Sequence, residues 1–358
     1  MRVKQWYKDG NGRYRFNDEY VGPITMPTET LTTCDYMFAG CEIKIGCYLA
    51  DFDTSKVTSM KSMFRNAKFP SGFGFGELFD TSAVTDMFAM FDHCIFPTDF
   101  SFGEGFDTGN VECMDSMFYG ATSYYWDKFS LGSKFDTRNV TSMASMFEDS
   151  TFYSGLDLGD KFDTSNVTCM DRMFACARVT HGLELGEKFD TSNVIRMFGM
   201  FARAKLPSGF TLGSKFDTSN VQLMSAMFLG TEIPFNFTLG DKFITESLGN
   251  ADYMFAQTDL SRGFSLGENF KCYGDIRAEN MFSDCKLSED FKFPAEFKPT
   301  GDHLNAYSFK FNIPEGADPF SENEYLKQFW SPYPEEDKST ELEAVRPSII
   351  RRWYTDGN

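Results

Sequence analysis

Histidine is almost missing from this chain: among 358 residues only His93, His181 and His303 are His. They sit in unrelated sequence settings, so nothing assembles the nucleophile, base and orienting group that hydrolytic catalysis needs. Zinc-ligand spacings, phosphate-cradling glycine loops and dinucleotide fingerprints are missing as well. The expectation is a protein that is not an enzyme and takes no cofactor. Basic charge is also short, with 34 Lys and Arg against 52 Asp and Glu and a formal net charge of -18. Nucleic acid is held through a basic footprint, so no nucleic-acid partner is expected. No stretch approaches the roughly 18 apolar residues of a spanning helix, so no membrane insertion is expected. Met1 to Phe16 has neither an apolar core nor a small-residue cleavage site, and no signal peptide is visible there.

What is abundant is equally uneven. The chain holds 41 Phe, 19 Met and 29 Gly, a bias that a short recurring pattern produces. Met-Phe pairs place Phe38, Phe64, Phe91, Phe118, Phe147, Phe174, Phe201, Phe228, Phe255 and Phe282 at 26 or 27 residue steps, with one step of 29. A second anchor, Phe-Asp-Thr, starts at Phe52, Phe79, Phe106, Phe135, Phe162, Phe189 and Phe216 and degenerates at Phe243 and Phe270. A unit this short cannot enclose its own core, so successive units must stack and bury their apolar letters as ladders. Every Met except Met1 and Met26 falls in two columns, one from Met60 to Met224 and one from Met37 to Met281. A Met-rich stripe also suits a promiscuous binding face, but strict columns flanked by Val and Phe read as core.

The expected fold is an α/β repeat, a parallel β solenoid with short helical turns, about nine to ten coils, capped at both ends. Gly209 to Leu212 alternates like a short strand. Thr218 to Phe228 suits either a capped helical turn or a second short strand, and we read the unit as strand, short strand and a helical turn at Met-Phe. Three residues after each Met-Phe Phe stands a small residue, from Cys41 and Ala67 to Thr258 and Cys285, as close packing demands. Cys113 and Cys169 share a column two coils apart, which at about 4.8 Å per coil is beyond disulfide reach. Reduced, buried thiols are expected.

The polar columns read as structural. Asp53, Asp80, Asp107, Asp136, Asp163, Asp190 and Asp217 can each cap the amides that follow, with Lys134, Lys161, Lys188, Lys215 and Lys242 two positions before the corresponding column site. A calcium ladder needs Gly-Gly-x-Gly-x-Asp loops, which this unit lacks, so no metal site is assigned. Asn110, Asn139, Asn166, Asn193 and Asn220 form a further column able to satisfy backbone groups inside turns.

One unit breaks the rhythm: the 29-residue step carries Tyr124, Tyr125 and Trp126 in a two-residue insertion. Insertions in solenoids emerge as loops on one face, and such a cluster resembles a binding hot spot. These three are the candidate binding residues, with local packing of the rings as the alternative. Residues 1–30 read as an N-terminal hairpin cap closed at Asn11-Gly12, 31–286 as the solenoid, and 287–358 as an irregular C-terminal capping or docking region. Trp353-Tyr354-Thr355-Asp356-Gly357-Asn358 echoes Trp6-Tyr7-Lys8-Asp9-Gly10-Asn11.

The units FDTSNVTCMDRMF (Phe162 to Phe174) and FDTRNVTSMASMF (Phe135 to Phe147) resemble the BspA-like surface-protein repeat of mycoplasma-type lipoproteins. The resemblance covers roughly residues 31–290. It implies a leucine-rich-repeat-like solenoid on a cell surface, used for adhesion or host contact, and related repeats are found in viral genomes. It carries no catalytic residues. No export signal, lipid-attachment Cys near the start or sorting tail is seen, which makes a virion or other particle a second setting. The expected role is a non-enzymatic binding solenoid at an extracellular or particle surface, recognising protein or glycan on a host or within an assembly. The alternative is a structural component with no external ligand.

Overall fold

The computed structural model describes residues 3–28, 30–124, 128–300 and 308–327. The chain winds as a parallel β solenoid whose coils meet along several columns. In one column, ten successive coils join through single parallel bridges, from Thr33 and Ser59 through Leu223 and Asn250 to Arg277. In a second, Ile95–Phe96, Thr122–Ser123, Thr151–Phe152 and Arg178–Val179 form a four-stranded parallel sheet. In a third, Phe129–Ser130, Leu156–Asp157 and Leu183–Glu184 form a three-stranded one.

The interior is built as the sequence columns require. Met60, Met87, Met114, Met143, Met170, Met197 and Met224 are all 0% exposed. Phe38, Phe64, Phe91 and their successors to Phe282 stack face to face with ring centroids 5.0 to 5.7 Å apart. The Phe of Phe-Asp-Thr forms a second ladder from Phe52 to Phe270 at 6.3 to 6.4 Å. Each ring therefore meets its own copy in the next coil, which replaces water with aromatic surface on both faces.

The Met-Phe segment is not helical, which corrects the helical-turn expectation. Met63 N–H closes on the Met60 carbonyl (3.2 Å) and Ala67 N–H on the Phe64 carbonyl (2.8 Å), making two tight turns in place of a helical one, with Arg65 N–H closing a third on the Ser62 carbonyl (3.1 Å) between them. The third residues of the two outer turns, Ser62 and Asn66, are left-handed with φ of 51° and 57°, as type II turns require. The intervening amides point along the solenoid instead: Ser62 N–H donates to Phe88 C=O (2.8 Å) and Phe64 N–H to Met90 C=O (2.9 Å). Two four-residue turns return Met, Met and Phe to one side at spacings of three and one, so their pattern coincides with that of a helical face. Among the described residues the only helix is α1, Glu324–Lys327, and no helix is long and apolar enough to cross a membrane.

A hydroxyl ladder binds the coils where Phe-Asp-Thr recurs. Thr137 Oγ1 donates to Asp163 C=O (2.7 Å) and accepts from Asp163 N–H (2.8 Å), bridging one coil to the next through both backbone groups. Thr108, Thr191 and Thr218 repeat the double bond, and all are fully buried. At the start, β1 (Trp6–Lys8) and β2 (Tyr14–Phe16) form an antiparallel hairpin. The Trp6 ring lies 5.5 Å from Phe16, 5.5 Å from Phe38 and 6.1 Å from Phe52. Past residue 286 parallel pairing runs on, Cys272–Asp275 with Phe297–Thr300 and Cys285–Leu287 with Phe311–Asn312.

Two substitutions test this account. Thr137→Val keeps shape but strands the Asp163 N–H and C=O, and is expected to cost about 1–3 kcal/mol in urea unfolding, with Thr137→Ser retaining most of the stability. Gly230 occupies a left-handed turn position with φ +60, where an added Cβ meets Arg203 Cγ at an ordinary 3.6 Å. Gly230→Ala would stabilise a helix by about 1 kcal/mol, but here it is expected to destabilise by about 1 kcal/mol through left-handed strain.

Candidate functional site

The 29-residue unit resolves into a precise location. Thr122–Ser123 pairs with Thr151–Phe152 at an offset of 29, whereas Phe129–Ser130 pairs with Leu156–Asp157 at an offset of 27. Both extra residues therefore sit in the tip loop joining the two sheets, where the neighbouring coils spend three residues, 153–155 and 180–182. Of the candidates, Tyr125 and Trp126 lie outside the described residues. Tyr124 is 58% exposed and stacks on Tyr153 of the next coil, itself 47% exposed, with centroids 5.4 Å apart and planes at 17°.

Polar groups surround this pair. His181 Nδ1 donates to the Tyr153 carbonyl at 3.0 Å, and the Thr180 hydroxyl reaches the same oxygen. Lys128 Nζ stands 3.8 Å from Glu184 Oε1. Beside Lys128, a depression of about 220 Å³ opens between Phe100–Glu104 and Phe129–Lys134. The same corner of the solenoid exposes Ile45 (79%) and Phe235 (72%) at other coils, and the Arg262 guanidinium covers the Phe235 ring at 5.1 Å. Reading by columns missed Tyr153, Ile45 and Phe235, because tip residues do not recur. For Ile45 and Phe235 the available signal was an apolar letter at a tip position where other coils carry Ser71, Thr98, Ser154 or Ser208.

The acidic column is fully used by the fold. In each of the seven Phe-Asp-Thr coils the Asp Oδ1 accepts the amide two residues on, as in Asp53 with Ser55 (2.9 Å) and Asp190 with Ser192 (3.0 Å). Burial pushes the Asp190 carboxyl up, but the Ser192 hydroxyl and amide, with Lys215 and Lys242, hold it below the usual carboxylate range. The Asn column works between coils and not inside turns: Asn139 Nδ2 donates to Gly109 C=O (2.6 Å) and Asn166 Nδ2 to Arg138 C=O (2.7 Å). Among the described residues no group of three or more His, Cys, Asp or Glu is placed to hold a metal ion.

The cysteines occupy two environments. Cys94 and Cys285 are buried and donate Sγ–H to the Phe64 and Phe255 carbonyls of preceding coils at 2.8 and 2.7 Å. Burial pushes the Cys34 thiol up to about 12 and, with the Asp18 charge, the Cys41 thiol up to about 11. Cys113, Cys169 and Cys176 are only half-buried, which corrects the expectation of buried thiols for these three; Cys113 and Cys169 lie in the bridge column beside Asp86 and Arg196.

The acid response follows from Asp53, Asp136 and Asp190 of this column, which are held below the usual carboxylate range. A carboxyl held low in the folded state adds stability above its unfolded value, and that contribution is lost as pH falls through the folded value. Stability is thus expected to fall below about pH 4. Asp190→Asn, which keeps an oxygen for the Ser192 amide, is expected to flatten that fall in urea titrations across pH.

The family model described as "Mycoplasma protein of unknown function, DUF285" matches residues 32–155, 104–206 and 180–292. Comparison with curated proteins and with solved structures finds no match. The matched segments overlap and run through the stacked coils from residue 32 to residue 292, so the chain belongs to this Mycoplasma repeat family.

Proposed function

We propose that the chain is a non-enzymatic binding solenoid of the BspA-like, leucine-rich-repeat-like kind, displayed at an extracellular or particle surface. In this reading it mediates adhesion by recognising protein or glycan on a host or within an assembly. The observation that carries the reading is the Tyr124–Tyr153 stack. The phenylalanine rings of the two ladders spend both faces in the interior, whereas this pair repeats the stacking on the outside of the wall. A ring pair fixed by a stacked backbone loses little freedom on binding, and Tyr is a favoured anchor at interfaces. Thr180, His181, Lys128 and Glu184 supply hydrogen-bonding groups around it, with Ile45 and Phe235 further along the same corner.

The test is Tyr124→Ala combined with Tyr153→Ala, assayed on a glycan array and on a panel of extracellular proteins. Loss of a hot spot of about 2 kcal/mol is expected to weaken any captured partner at least tenfold while thermal unfolding stays unchanged. Binding that is retained at full strength in the double variant removes this corner as the site.

A further inference from the structure

Trp occurs four times in 358 residues, yet two of the four share one context: Trp6-Tyr7-Lys8-Asp9-Gly10-Asn11 and Trp353-Tyr354-Thr355-Asp356-Gly357-Asn358. Composition does not produce such a coincidence by chance. The structure shows what the first copy does. Its Trp and Tyr form β1, which pairs with β2 through Trp6↔Phe16, Tyr7↔Arg15 and Lys8↔Tyr14. The Trp6 indole lies on Phe16, Phe38 and Phe52, where both Phe ladders begin, and its Nε1–H donates to Thr25 C=O at 2.9 Å. Asp9 Oδ1 then accepts the Asn11 and Arg13 amides at 2.9 and 3.0 Å, turning the chain back. Of the letters shared by the two copies, Trp and Asp have named side-chain tasks at this seat.

We infer that the second copy is made for the same seat on another molecule: residues 352–358 of one chain take the place of Gln5–Asn11 beside β2 of the next. The exchange is feasible because β1 is three residues long and pairs as a strand with β2 alone, in a two-stranded sheet, while its indole bond to Thr25 C=O is one that a second Trp can remake. Residues 328–358 follow α1 at the opposite end of the coils, and an extended chain covers about 3.3 Å per residue. That is enough to leave one solenoid and reach the start of the next. The contact joins different surfaces, tail to head, so it adds copies as a ring or an open chain and does not form an isologous dimer.

Sedimentation velocity over a range of protein concentrations tests this. The full chain is expected to grow in mass with concentration, and both the variant lacking 349–358 and Trp353→Ala are expected to stay monomeric. Because those changes lie outside the described coils, a fluorescent peptide of residues 346–358 provides a readout that does not depend on refolding. It is expected to bind the chain lacking 349–358, to bind Trp6→Ala at least tenfold more tightly where that variant folds, and to lose binding when its own Trp is replaced by Ala. A full chain that is monomeric at every concentration overturns the inference. Association that survives loss of 349–358, or a peptide with no affinity for the shortened chain, does the same.

Discussion

Everything in this molecule depends on the hand-over of backbone hydrogen bonds from one coil to the next. A unit of about 27 residues is too short to bury its own apolar side chains or to satisfy its own amides. Alternate amides of the Met-Phe segment therefore donate to the following coil, Ser62 to Phe88 and Phe64 to Met90, while those between them close tight turns. The Phe and Met ladders follow from that register, because a fixed step between coils brings like residues together. Polar columns obey the same rule: Thr137 holds both backbone groups of Asp163, and Asn139 reaches the Gly109 carbonyl. The buried hydroxyls of the Thr column are tolerated because each finds its partner one coil away.

Much of this was legible in the sequence, and for a definite reason. Burial repeats with the coil, so Met170, Phe174 and Ala177 each announce themselves as members of a column. Backbone handedness does not announce itself. The left-handed sites hold Ser62, Ala89, Arg172, Gly199 and Tyr253 alike, since the local turn, and not the residue type, imposes the conformation. A helix and a pair of tight turns place Met, Met and Phe at the same spacing, and only the direction of the amides separates them. The Thr column was visible as a letter but not as a bridge, because a buried Thr reads equally well as small packing.

The outer surface was harder to read than the interior. Tyr124 was found because it sits beside a break in the period. Tyr153 occupies an ordinary unit and becomes notable only when the next coil is laid against it. Ile45 and Phe235 are isolated in sequence and share a corner only in space. A binding face on a solenoid is assembled across coils, so its members are spread through the chain at steps that carry no local signature. The paired ends are the opposite case: the motif was plain in the sequence, and the structure of its first copy supplied the meaning.

The location of the extra two residues has a consequence for how such a protein can diversify. The loop between the two sheets absorbs them completely, since pairing before it is offset by 29 and pairing after it by 27, with both sheets in register. Length at this rim is therefore uncoupled from the scaffold. Each coil offers an independent slot in which a longer or shorter tip can be tried without disturbing the wall behind it, so a family built this way can vary its outer relief one notch at a time.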